Sequence, residues 1–206
     1  MGIVGFLIAM GIEKKKEKDL SWNYYLSLKK ELEVVSDYIE FEEANYQTYS
    51  IELAKLLMAA SSEVDVVLKQ LCNTLNPEGK HENINNYRVT IKQYLQADFL
   101  AEKVSISRHG LELDPWSNWR MHEERNPDWW NAYNDVKHQR NAEFPKATLK
   151  NALNAMSALL ISILYLRAVE WIHPDLENIS NAVSHAIDET NPGDTFMQLD
   201  GYYYGN

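Results

Sequence analysis

Cys72 is the only cysteine among 206 residues, so a single chain can form neither a disulfide nor a cysteine-based zinc site. It sits inside an apolar helical run, the setting of a structural thiol, and a chain with this cysteine content fits a reducing cytoplasm. Basic residues are also in deficit. Twenty Lys and Arg against thirty Asp and Glu give a formal charge of -10 and exclude a broad electrostatic footprint for nucleic acid, while leaving room for a local basic site. With 8 Gly and 6 Pro, no Gly-, Pro- or Ser-rich linker divides the chain, and one domain spanning 1–206 is expected. Several motifs are missing. There is no HExxH, GxGxxG, phosphate loop or GxSxG, and the six His, at 81, 109, 122, 138, 173 and 185, follow no metal-ligand spacing, so neither metal nor cofactor is expected.

No apolar run is long enough to cross a bilayer, which takes about 20 residues. The longest, 152–165, is interrupted by Asn154, is bounded by Lys150, Asn151, Arg167 and Glu170, and reads as a buried helix hydrophobic on every side. The apolar N-terminus, residues 2–12, precedes Lys14, Lys15 and Lys16, the reverse of a secretory signal; it reads as a packed helix or strand, with no stable membrane insertion expected.

What is present is mostly helical periodicity. Asp19 or Ser21 can cap a helix through Trp22, Tyr25, Leu28, Leu32 and Val35, extending toward Tyr38 and Ile39. A second helix, from about 50 to 71, carries Ile51, Ala54, Leu57, Met58, Val64, Val67, Leu68 and Leu71 at three- and four-residue steps. A shorter one is expected from 84 to 95. Around His109-Gly110 the period changes to two, which predicts a small β-hairpin. After His173-Pro174 a short helix to about 187 precedes chain expected to lie on the surface, 191–206. The expected architecture is mostly α: an antiparallel helical bundle over 19–190 with a small β-hairpin insertion, preceded by an apolar and basic segment at 1–18.

The densest chemistry lies at 126–141, NPDWWNAYNDVKHQRN. Asn126 can cap a helix, Pro127 suits its first position and Asp128 complements the positive end of the helix dipole, so a helix from 127 to about 140 is expected. Helical spacing puts Trp130, Asn134, His138 and Asn141 on one stripe and Tyr133, Lys137 and Arg140 on the next. Two readings are open. In one, this wall performs metal-free RNA cleavage: His138 moves a proton at the ribose 2′-hydroxyl, Lys137 and Arg140 stabilise charge on phosphorus, Tyr133 and Asn141 contact substrate, and Asn134 fixes the imidazole or a base. In the other, Trp129 and Trp130 plug the helix into the core, and the polar residues pair with Asp135, Glu143 or another helix.

The segments Tyr49-Ser-Ile-Glu-Leu-Ala-Lys-Leu-Leu-Met-Ala-Ala-Ser-Ser-Glu-Val-Asp and Trp129-Trp-Asn-Ala-Tyr-Asn-Asp-Val-Lys-His-Gln-Arg resemble a group of uncharacterised bacterial proteins of about this size, with a YNxVKHxR motif and a helical core similar to HEPN domains. The resemblance implies a HEPN-like bundle, homodimerisation and an endoribonuclease of toxin-antitoxin or phage-defence type acting on RNA. HEPN ribonucleases carry an Arg, a polar residue and then a His. Here Asn141 follows Arg140, but no His stands at 145–147, and only Arg167 to His173 has the spacing. Many HEPN-like domains are non-catalytic, so the alternative implied is a homodimeric module binding a partner protein, with Tyr202, Tyr203 and Tyr204 as contact residues.

Overall fold

The computed structural model describes residues 19–121, 125–173, 176–190 and 196–202. The apolar stretch 2–12, His122, Tyr203 and Tyr204 lie outside them.

Four long helices build the frame, and a side chain caps three of them and α3. Asp19 accepts the Trp22 amide at 2.7 Å and starts α1 (Leu20–Ser36). Ser50 accepts the Leu53 amide at 3.1 Å and starts α2 (Ile51–Leu75); Asn83 caps α3 (Ile84–Tyr94), which runs into the short α4 (Gln96–Ala101). A hairpin follows, β1 (Val104–Ile106) and β2 (Leu111–Leu113), then α5 (Ser117–Met121), α6 (Asp128–His138) and the single turn α7 (Arg140–Glu143). Thr148 caps α8 (Leu149–Ile172), and α9 (Ile179–Thr190) and β3 (Gln198–Leu199) end the described chain.

The fold is mostly helical. α8 and α2 form its centre, with α1, α6 and α9 packed against α8 and α3 against α2. Residues 155–166 of α8 are buried without interruption, and the hydroxyls of Ser157 and Ser162 are satisfied by the carbonyls of Leu153 and Ala158 one turn back. Contrary to the expectation that no run is long enough, α8 is the one helix among the described residues long and apolar enough to cross a membrane, because its few charged residues fall at its ends; its neighbours cover it.

Three further expectations need correction. Ile51, read as core, is 67% exposed, because the buried stripe of α2 begins at Leu53. α1 ends at Ser36, leaving Tyr38 beyond it and exposed. The end of the chain is not wholly surface: β3 pairs antiparallel with β1, Val104 opposite Leu199, and buries Met197 and Leu199. The sheet therefore has three strands, β2-β1-β3, rather than a lone hairpin. In the hairpin, Val104, Ile106, Leu111 and Leu113 point to the core, Glu112 faces out, and Gly110 turns the chain at φ +63°.

Candidate functional site: the corner between α6 and α7

A column of aromatic rings anchors α6. Trp119 stacks on Trp116 at 4.6 Å, Trp116 meets Trp129 at 5.5 Å, Trp129 meets Trp130 at 5.7 Å and Trp130 meets Tyr133 at 5.4 Å. The Trp129 indole donates to the Pro115 carbonyl at 2.9 Å, satisfying its one polar group. Ala132, Tyr133 and Val136 are buried beside them, so the opposite, polar side of the helix faces outward.

The helix is shorter than its sequence pattern predicts. Pro127, not Asn126, occupies the N-cap, and no side chain caps it; the Asn126 amide oxygen instead accepts from Arg88 at 3.5 Å. At the other end Gln139 leaves the helical region, φ -136° and ψ 46°, and α7 starts afresh at Arg140. Asn141 and Arg140 therefore do not continue the stripes of Asn134, His138 and Lys137; a corner replaces the expected continuous wall.

Of the six candidate residues, four are exposed at this corner: Lys137, His138, Arg140 and Asn141. Asn134 is half-buried and donates one amide N–H to the Trp130 carbonyl at 2.9 Å, a bond within the helix rather than one to the imidazole. Tyr133 is buried, and its hydroxyl accepts from the Lys137 ammonium at 3.2 Å, which also lies 5.2 Å from the ring centroid. Tyr133 thus carries Lys137 and presents little surface of its own.

Charge distribution sets the corner's character. Asp135 lies three residues before His138, and Glu143 three after Arg140, spacings at which helical side chains meet. Both carboxylates go instead to Lys146, at 2.7 Å and 2.6 Å, and these bonds hold the Lys146 ammonium above its ordinary pKa. Lys137, His138 and Arg140 consequently have no carboxylate partner among the described residues. Two permanent cations and an imidazole on one exposed turn suit an anion.

The histidine of the hairpin lies elsewhere. His109 packs between Phe41 and Phe196, with Nδ1 3.0 Å from the Glu40 carboxylate, and is not part of this corner. No three His, Cys, Asp or Glu side chains among the described residues are grouped to hold a metal. Arg167, the other half of the Arg-to-His spacing, bonds Asp19 through Nε at 2.7 Å and through Nη2, and covers the Trp22 ring; it fastens α8 to the start of α1.

Sequence reasoning missed a buried acid. Glu102 is 8% exposed, and one of its oxygens accepts from Tyr165 at 2.6 Å and Tyr202 at 2.9 Å. It lines a cavity of about 470 Å³ with Asp98, Asp200, Ser180 and Ser184. Burial raises its pKa against the lowering effect of the two phenols, and Asp98 and Asp200 raise it further. Nothing in the sequence flags Glu102, since its partners lie 63 and 100 residues away. Tyr202, read from sequence as an exposed contact residue, is half-buried here.

Compared with family models, curated proteins and solved structures, the chain matches none of them.

Proposed function

We propose that this chain is a HEPN-like, cytoplasmic RNA-processing protein of a defence or toxin-antitoxin setting, working as a homodimer through the α6–α7 corner. The observation that carries the reading is the pairing of Asp135 and Glu143 with Lys146, which leaves Lys137, His138 and Arg140 without a carboxylate partner among the described residues, Lys137 resting on the Tyr133 hydroxyl. In the reaction, the ribose 2′-oxygen attacks the adjacent phosphorus, the bond from phosphorus to the 5′-oxygen breaks, and a 2′,3′-cyclic phosphate and a 5′-hydroxyl result. His138 takes the 2′-proton or supplies one to the leaving oxygen, while Lys137 and Arg140 stabilise the charge on phosphorus. The His138 of a second copy supplies the complementary proton transfer.

The test is cleavage of mixed cellular RNA in EDTA by wild type, His138→Ala and Arg140→Ala, with helicity checked by circular dichroism. Loss of cyclic-phosphate products in folded variants is expected; wild-type protein that leaves RNA intact sinks the catalytic reading. One observation favours a second reading, a non-catalytic binding module: among the described residues no hydrogen bond orients the exposed His138 ring, whereas catalytic imidazoles are commonly held by a third group. In that case Arg140→Ala weakens ligand binding and no RNA is cut.

A further inference from the structure

We infer that the corner takes single-stranded RNA, with Tyr49 and Phe144 forming a base-stacking platform beside the phosphate-binding cations; the inference rests on the RNA reading of that corner. Phe144 follows α7 directly, and its amide donates to the Arg140 carbonyl, so the two residues are one helical turn apart, about 6 Å along the axis. The Phe144 ring is partly buried and meets Tyr49 edge-on, with centroids 5.9 Å apart and planes at 87°. Tyr49 itself is 49% exposed, and its backbone is fixed. It forms a bridge with Thr148, while the Leu149 amide donates to Thr48 at 2.8 Å and the Lys150 amide to Tyr46 at 3.2 Å. An exposed aromatic held this way loses little freedom when a base stacks on it. Lys150, exposed and 5.9 Å from the Tyr46 ring centroid, lines a small pocket with Asp114 and Asp128 and is not one of the corner's cations.

Charge explains why stacking is needed. A chain at -10 cannot track a long backbone, and Lys137 and Arg140 can neutralise only about two phosphates, giving a salt slope of about -1.4 for a single strand. Affinity beyond that has to come from the bases. Aromatic stacking supplies it without reading sequence, because every base has a π-face, and a duplex withholds those faces inside its own stack.

The experiment measures fluorescence anisotropy with a labelled oligouridylate of about twelve nucleotides, an abasic oligomer of the same length and a duplex of mixed sequence. Wild type should bind the base-bearing single strand about tenfold or more tighter than the other two. Tyr49→Ala should fall to the abasic level with the salt slope unchanged, while Tyr49→Phe keeps the preference. Equal binding of base-bearing and abasic strands by wild type, with Arg140→Ala still weakening both, overturns the stacking platform and leaves the phosphate site standing. Binding of none of the probes removes the RNA reading and this inference together. The wild-type comparison decides the matter even if a Tyr49 variant fails to fold.

Discussion

Lys146 bonds Asp135 at 2.7 Å across the break at Gln139, tying the turn after α7 back onto α6. Its second bond, to Glu143, occupies the other carboxylate of the corner. One exposed lysine thus decides which charges the surface presents.

Replacing it should change that balance. In Lys146→Gln, Asp135 and Glu143 are released to His138 and Arg140, and affinity for a short oligouridylate should drop about two- to fivefold, a modest effect because exposed ion pairs are individually weak. Adding Asp135→Asn and Glu143→Gln to that variant should restore binding. Anisotropy titrations of the three proteins check this; a triple variant as weak as the single one would show that Lys146 acts as a ligand itself.

Glu102 imposes a pH dependence of defined sign. Its folded pKa is raised, chiefly by burial, so between the ordinary carboxylate value and the folded one the native state binds more protons than the unfolded state. Its contribution to stability is present at low pH and is lost as pH rises through the folded pKa; Asp200, also raised by burial, adds in the same direction. Glu102→Gln keeps an oxygen able to accept both phenols and removes the charge. Urea unfolding at pH 5 and pH 7.5 should show a smaller loss of stability across that range in the variant than in wild type.

Tyr165→Phe should have a different signature. It leaves Glu102 with Tyr202 as its one phenolic donor and should cost about 1.5–3 kcal/mol near neutrality. A cost under about 0.5 kcal/mol in the same unfolding assay would mean that water replaces the phenol.

Cys72 should be unreactive in the native protein. It is fully buried on α2, 3.9 Å from the Tyr87 carbonyl, and burial pushes its thiol up to about 12, leaving almost no thiolate at pH 8. Labelling by a disulfide reagent should track global unfolding in urea. Fast labelling in buffer would reveal a local opening between α2 and α3.

Leu199→Ala tests the end of the chain. Leu199 is 2% exposed on β3, opposite Val104, and its truncation should cost about 2–4 kcal/mol by urea unfolding. A surface tail would tolerate the change within about 0.5 kcal/mol.

Much of the helical framework was legible because its signals are local. Asp19, Ser50 and the three-and-four spacing of Val64, Val67, Leu68 and Leu71 act within one or two turns, and the alternation around His109-Gly110 marks β1 and β2. The corner was legible only in part. The pattern at 126–141 predicts one helix, whereas Gln139 breaks it, a choice made where Lys146 and the turn at 144–146 pack back onto α6.

By itself, then, the sequence determined a mostly helical chain with a buried α8, a hairpin at Gly110 and an aromatic, cation-bearing α6, since period, caps and turn residues need no distant partner. Tertiary structure alone decided three things: that β3 joins β1, that Glu102 is buried between Tyr165 and Tyr202, and that Asp135 and Glu143 serve Lys146 rather than the corner. The strand pairing and the Glu102 contacts join residues roughly 60 to 100 positions apart, and the Lys146 contacts select among several sterically allowed ion pairs. Packing settles such choices, and no local pattern encodes them.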